Sequence, residues 1–109
     1  MQPRKGELLR IYIGQSDKYK GVPLYEWIVK RAHERGLASA TVVRGLEGFN
    51  TRGRVHTAKI MRLSSNLPVI VEIVDTPQKI EDFLPIVDEA IQEGLVTIEN
   101  IRIRLYGDA

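Results

Sequence analysis

The hydrophobic pattern near the start of the chain changes from a two-residue repeat to a helical repeat. In the run Leu8–Ile13, which lies between two glycines, every second residue is aliphatic: Leu9, Ile11 and Ile13 share one face, and Leu8, Arg10 and Tyr12 share the other. This pattern predicts a first β-strand. After a polar connection, Pro23 suits the first position of a helix, and Gly36 suits the left-handed residue that follows one. The apolar stripe of this helix consists of Leu24, Ile28 and Ala32. A helix is therefore predicted from Pro23 to about Arg35.

The middle of the chain predicts two further strands on either side of a long irregular segment. Ala38–Leu46 carries the apolar residues of a second strand. The run PVIVEIVD at 68–75 has five β-branched residues in eight, which is typical of strands and predicts a third. Ile60, Met61 and Leu63 leave open whether a short extra strand precedes it.

A second helix is predicted from its cap and from its apolar stripe. Thr76 suits the N-cap position, and Pro77 suits the first helical position. The stripe that follows consists of Ile80, Phe83, Leu84, Val87, Ala90 and Ile91. Pro85 removes a backbone hydrogen bond inside this helix and is expected to bend it, and Gly94 is expected to end it.

The last strand is predicted over 95–106, and its apolar residues change faces along the run. Val96 and Ile98 lie on one face, whereas Ile101 and Ile103 lie on the other. Because one extra residue in a strand produces such a change, a β-bulge is expected near Asn100.

The predicted order of elements is β-α-β-β-α-β, the ferredoxin-like α+β arrangement of a four-stranded antiparallel sheet with two helices on one face. With 109 residues, one such domain over 1–109 is expected. The strands nevertheless carry apolar side chains on both faces, since Leu8 and Tyr12 alternate with Ile11 and Ile13. A soluble monomer rarely exposes an apolar sheet face, so we expect an oligomer that packs through this open face.

The composition excludes several classes of function. The chain has no cysteine, which excludes disulfides, thiolate nucleophiles, cysteine-ligated metals and the cysteine pair of a metallochaperone. No apolar run approaches the ~18 residues of a membrane span, and the first apolar run is too short for a signal peptide. We therefore expect no membrane insertion and a cytoplasmic location.

Two other functions found on this fold lack the residues they need. An RNA-binding domain needs exposed aromatic side chains on its central strands, and the third strand has none. An acylphosphatase-like enzyme needs an arginine in the first connection, where GQSDKYKG has only lysines. No serine, histidine and carboxylate grouping has a persuasive spacing. Neither nucleic-acid binding nor an enzymatic activity is expected.

Positive charge is concentrated in one glycine-containing stretch, Arg44–Arg62, the basic segment. It holds five basic residues and one acid, Glu47, so its charge is about +4, whereas the whole chain carries +2. Charge-assisted contacts from such residues suit a phosphate or carboxylate, and glycines let the backbone approach a ligand closely. The candidate ligand-binding residues are Arg44, Gly45, Gly48, Arg52, Arg54, His56 and Lys59. The alternative is a solvated loop whose charge serves solubility.

A metal site is not expected, because neither His33 nor His56 has a cysteine or a second histidine beside it.

Several sequence blocks resemble a known family. SDKY, PLYE, RGLEGF, RVHTA and LPVIVEIVD, followed by EGLVTIENIRI, are similar to the uncharacterised PII-like family called domain of unknown function 190, over about Leu8–Tyr106. The resemblance implies a ferredoxin-like subunit, a homotrimer with its sheets turned inward, and a mobile loop between the second and third strands that contacts a partner protein.

The chain departs from PII proteins where those proteins bind nucleotide. PII proteins hold the phosphates with a glycine-rich basic segment between the second helix and the last strand. Here Ile91–Leu95 has one glycine, one acid and no lysine, so the same mode of binding is not expected. We expect a PII-like trimeric sensor that binds a small anion or a nucleotide at its subunit clefts. The alternative is a structural or protein-interaction module.

Overall fold

The alternating runs form a four-stranded antiparallel sheet in the computed structural model, which describes residues 4–49, 56–57 and 66–107. The strands are β1 (Arg4–Gly14), β2 (Ser39–Arg44), β3 (Pro68–Asp75) and β4 (Leu95–Ile103), in the spatial order β2-β3-β1-β4. Helices α1 (Leu24–Glu34) and α2 (Pro77–Ala90) follow β1 and β3. The predicted ferredoxin-like α+β fold is confirmed.

The hydrophobic core lies between the two helices and one face of the sheet. The central strands contribute alternate side chains that are at most 2% exposed: Leu9, Ile11, Ile13, Val69, Val71 and Ile73. The helices contribute Leu24, Ile28, Ala32, Ile80, Phe83, Val87 and Ala90. These are residues of the two predicted stripes, and Leu84 and Ile91 pack partly buried at the edge of the core. Burial of this apolar surface is the main stabilising contribution to the fold.

The cap of α2 is the one predicted from the sequence. The Thr76 hydroxyl accepts a hydrogen bond from the Lys79 N–H at 3.4 Å, and Pro77 occupies the first helical position. Replacing Thr76 with alanine removes this acceptor, so we expect the free energy of unfolding in urea to fall by about 1 kcal/mol. A serine at the same position keeps the hydroxyl and is expected to cost much less. Equal losses in the two variants would show that the hydroxyl does not stabilise the helix.

Helix ends agree with the prediction at Gly36 and differ at two other places. Gly36 has a φ of 73° and follows α1 as expected. Pro23 precedes α1 instead of beginning it, because its ψ of 130° is extended. The second helix ends at Ala90, and Gly94 lies in the turn that enters β4.

The predicted β-bulge near Asn100 is wrong. β4 pairs with β1 without interruption, and Asn100 lies directly opposite Glu7. Ile103 covers Gly6 instead, where a Cβ atom would come within 2.2 Å of the isoleucine side chain. The side chain of Ile103 thus fills the space that Gly6 leaves on one face of the sheet. The apolar residues of β4 therefore change from one face to the other without an inserted residue.

The open face of the sheet, which points away from the helices, is apolar at both ends and polar in the middle. Its apolar and aromatic residues are Leu8, Tyr12, Val43, Ile70, Val74, Leu95, Ile101 and Ile103. In the middle, Arg10 pairs with Glu72 at 3.0 Å and also with Glu99. The hydrogen bond from Arg10 to Glu72 raises the pKa of Arg10, which therefore stays charged. The two-faced apolar pattern is confirmed, but the sequence did not predict this ion-paired strip.

Candidate functional site

Three connections of the fold meet at one end of the sheet, the loop end. The strand pairing defines this end, since Gly14 lies opposite Pro68 and Tyr12 lies opposite Leu95. The connection from β1 to α1 and the turn from α2 to β4 both lie there, and the chain between β2 and β3 leaves and returns there. Residues that are far apart in the sequence are thus placed side by side.

The connection from β1 to α1 contains a small hairpin, where an irregular polar loop was expected. Lys18–Tyr19 pairs with Val22–Pro23, and the turn residues Lys20–Gly21 have φ angles of 51° and 81°, as a two-residue I′ turn requires. The Tyr19 ring packs edge-on against Trp27, with 4.6 Å between the ring centroids. This packing holds the hairpin against α1.

Asn66, which precedes β3, is fixed to the same connection. The Ser16 N–H donates to the Asn66 side-chain oxygen at 2.9 Å, and the Asn66 amide nitrogen lies 3.5 Å from one oxygen of Asp17. The other Asp17 oxygen accepts the Gly14 N–H at 2.9 Å. We refer to these contacts as the Asp17–Asn66 clamp. The sequence analysis did not predict that Asp17 and Asn66 are partners.

A cavity of about 190 Å³ lies beside the clamp. It is lined by Asp17, Lys18, Leu24, Ala90, Gln92 and Glu93. Two carboxylates, one ammonium group and one amide surround two buried apolar side chains. For comparison, a protein cavity of roughly 150 Å³ holds benzene. The size and the mixed polarity suit a small molecule that carries both a hydrogen-bond donor and an anionic group.

Gly45 and Gly48, two of the candidate ligand residues, lie against the ring of Pro68. A Cβ atom on Gly45 would come within 2.9 Å of the Pro68 ring, and one on Gly48 within 3.3 Å. The Gly45 N–H also donates to the Pro68 carbonyl at 2.8 Å. A Cβ atom on Gly45 would therefore force a shift, whereas one on Gly48 would make only a tight contact with the Pro68 ring. The contact of either glycine with a ligand stays a prediction.

The other candidate residues are only partly described. Arg44 ends β2 with an exposed side chain, opposite Val69 at the loop end. The backbone of His56 pairs with that of Gly48, so part of the basic segment is a β-bridge and not an irregular loop. Arg52, Arg54 and Lys59 lie outside the described residues, as does the short strand left open near residues 60–63. Whether these cations meet at one site stays a prediction.

The start of the basic segment exposes two large apolar side chains that were not among the residues predicted from the sequence. Leu46 is 79% exposed and Phe49 is 68% exposed. Both flank the bridge formed by Glu47–Gly48 and His56–Thr57. Apolar residues at this exposure are typical of contact surfaces when they cluster. The sequence could have indicated them, because they are two large apolar residues within a stretch of glycines and charged residues.

Two further properties concern the described part of the chain alone. Across 4–49 and 66–107, no three histidine or carboxylate side chains are grouped so that they could hold a metal ion. Neither α1 nor α2 is long and apolar enough to cross a membrane, and the same stretches contain no other helix that is.

Comparison with known sequences identifies relatives without an assigned function. The model of the DUF190 family, described as "Uncharacterized ACR", matches residues 6–103. A UPF0166 protein from Aquifex aeolicus is 37% identical over 103 residues, which is 94% of this chain and 97% of the relative.

Comparison with solved structures finds PII-like proteins. CPII from Thiomonas intermedia, a nitrogen regulatory PII-like protein bound to ADP, AMP and bicarbonate, superimposes with a TM-score of 0.63, at 16% identity, over 94% of this chain and 91% of that one. A protein from Thermus thermophilus, solved as a PII-like signalling protein, gives 0.65 at 14% identity, over 94% and 93%. At these low sequence identities, the similarity supports a shared fold and nothing more specific.

Proposed function

The chain belongs to the DUF190 family of uncharacterised proteins with a PII-like fold, and from this premise we propose that it is a regulatory protein and not an enzyme. In this proposal it binds a small anion or a nucleotide at the loop end, and it contacts a partner protein through the basic segment. The observation that carries the proposal is the convergence of three connections and a cavity at the end of the sheet where the basic segment begins at Arg44. Its cytoplasmic location stays a prediction from the sequence.

We propose a homotrimer that packs through the open face, which would bring neighbouring loop ends together in clefts. Apolar residues at both ends of that face support this assembly, since water contact with them is unfavourable. Arg10 is already paired with Glu72 and Glu99 inside each subunit, so its guanidinium would keep its partners on burial, although the three groups together carry one net negative charge. A buried charge is costly mainly when its partner is missing.

The proposed ligand is a small anion or a nucleotide, held by the candidate residues Arg44, Gly45, Gly48, Arg52, Arg54, His56 and Lys59. CPII, which shares the fold, was solved with ADP, AMP and bicarbonate. In this chain, Glu93 occupies the turn before β4 and lines the cavity. A carboxylate there opposes a chain of phosphates, so we expect bicarbonate or a nucleotide with few phosphates to bind better than ATP.

An interaction module without a ligand is the second candidate, and the exposure of Leu46 and Phe49 favours it. Large apolar side chains at the start of a basic segment supply contact area for a partner protein. The two candidates differ in one respect, because the module needs no small molecule at the loop end.

The ligand half of the proposal is tested by thermal unfolding in the presence of AMP, ADP, ATP and bicarbonate. A ligand at a hundred times its Kd stabilises the native state by about 2.7 kcal/mol. Removing one charge-assisted contact costs roughly 1.5 to 3 kcal/mol, so Arg44→Ala is expected to weaken binding by about ten-fold or more.

Arg35→Ala is the matched control, since Arg35 is also exposed but lies at the other end of α1, away from the loop end. It is expected to bind as the wild type does. If none of the four compounds stabilises the protein, and if Arg44→Ala behaves as the wild type, the ligand half is wrong and the interaction module remains.

A further inference from the structure

The ion-paired strip in the middle of the open face holds one acid more than its arginine neutralises. Arg10 on β1 contacts two carboxylates, that of Glu72 on β3 and that of Glu99 on β4. We propose that Glu99 takes up a proton from the solvent when neighbouring copies cover the open face, so that each assembled subunit binds one proton more than a separate subunit. The inference rests on the proposed homotrimer, because a copy of the chain on this face would remove the water around Glu99.

The two carboxylates differ in how well the protein compensates their charge. The Arg10 Nε–H donates to Glu72 at 3.0 Å, and these two side chains are 32% and 33% exposed. The side chain of Glu99 is 56% exposed and contacts one terminal nitrogen of Arg10. Water therefore hydrates more than half of Glu99 in the separate subunit. Covering the face removes that water, which makes Glu99 the carboxylate whose charge is left without compensation.

The other side chains of the open face do not supply a second positive charge near Glu99. Within the described strands, the pairing places five charged or titratable side chains on this face: Arg4, Arg10, Tyr12, Glu72 and Glu99. Leu8 lies directly opposite Glu99, so the nearest neighbour across the strands is apolar. Arg4 lies four residues along β1 from Leu8, a distance of roughly 13 Å in a strand. In these strands of one subunit, Arg10 is thus the cation that both carboxylates share.

Burial without a matching cation favours the neutral form of a carboxyl group. In water a glutamate side chain loses its proton at about pH 4.3, and burial without compensation moves this loss to a higher pH. The assembled state then binds more protons than the separate subunits, so a fall in pH favours assembly and a rise in pH opposes it. The effect lies between the two titrations, because below both the proton is bound in either state and above both it is bound in neither.

The substitution Glu99→Gln tests the inference, because glutamine has nearly the shape of a protonated glutamate and cannot ionise. At about pH 8 it is expected to raise the Tm of the trimer by about 5 °C or more, although it removes an ion pair. At about pH 5 Glu99 of the wild-type trimer carries its proton, so the difference in Tm is expected to shrink to about 1 °C. Thermal unfolding of both proteins across this pH range, at one chain concentration, measures the difference.

Glu34→Gln is the matched control. Glu34 also pairs with one arginine, Arg31 at 3.3 Å, and its side chain is 47% exposed, but it lies on α1, away from the open face. Its charge stays in water in any assembly through the open face. The variant is therefore expected to change the Tm by no more than about 1 °C at either pH, which is typical of an exposed ion pair.

The same change in a monomeric subunit shows whether assembly is the cause. Leu95→Glu adds a charge to the open face and is expected to keep the subunit monomeric. In that background Glu99→Gln is expected to give no stabilisation, because Glu99 stays hydrated. A gain of the same size as in the trimer would show that Glu99 is unfavourable within the subunit itself, and it would overturn the proposal.

Light scattering on the wild type separates the inference from the proposed function. If the wild type is a trimer and Glu99→Gln lowers its Tm or leaves it unchanged at about pH 8, the proton uptake is wrong while the homotrimer stands. The neighbouring copy would then supply the compensating cation, for which Arg4 is the candidate on the open face. If the wild type is a monomer, the homotrimer fails, and the proton uptake fails with it.

Discussion

Replacing Leu95 with glutamate is expected to convert a trimer into a monomer without unfolding the subunit. Leu95 lies on the open face, opposite Tyr12, and is 45% exposed in the isolated subunit. A charge there is hydrated in the monomer, so the stability of the subunit should change by only about 0.5 kcal/mol. In the proposed trimer the same carboxylate would be buried without a partner, which costs several kcal/mol.

Light scattering after size-exclusion chromatography measures this effect. The wild type is expected at about 37 kDa, three times the 12.4 kDa of the chain, and Leu95→Glu at the mass of one chain. Val43→Glu on β2 is an independent test, because Val43 is also 45% exposed on the open face.

Val22→Glu is the matched control, since Val22 is 41% exposed but lies in the hairpin before α1. It is expected to remain a trimer. A wild type that is monomeric at micromolar concentration contradicts the assembly directly. A trimer that survives both open-face changes shows that the subunits associate through another surface.

The fold could be predicted because its signals are local. Alternation in β1 and the stripe of α2 depend on neighbouring positions, and the cap formed by Thr76 and Pro77 depends on two consecutive residues. These patterns follow from burying one side of each element. The prediction of a bulge near Asn100 was wrong because the apolar residues at the end of β4 are explained by a contact of Ile103 with Gly6. These two residues lie near opposite ends of the chain, so a local sequence pattern does not show their contact.

Of the candidate site, only the concentration of positive charge could be predicted from the sequence. The basic segment and its glycines are visible in the sequence, but what Gly45 and Gly48 approach is Pro68, which no spacing rule indicates. The contact between Asp17 and Asn66 likewise joins residues 49 positions apart. Such pairs are determined by strand order and register, so they become visible only once the sheet is known.

The substitution Gly94→Ala, in the turn before β4, is expected to lower the stability of the protein strongly. Gly94 has a φ of 159°, and a Cβ atom there would come within 2.7 Å of the Tyr12 carbonyl oxygen. That atom belongs to the backbone of the neighbouring central strand and cannot move aside as a side chain can. Strain and overpacking of this kind together cost roughly 2 to 4 kcal/mol.

Gly21→Ala separates the clash from the conformational cost. Gly21 also has a positive φ, 81°, but nothing lies within 4 Å of the position its Cβ would take. It should lose only about 1 kcal/mol, the cost of placing an L-residue in that conformation. Urea unfolding of both variants measures the difference. Equal losses would mean that the turn shifts away from Tyr12 at no cost, and that the cavity wall formed by Gln92 and Glu93 is not held in place by Gly94.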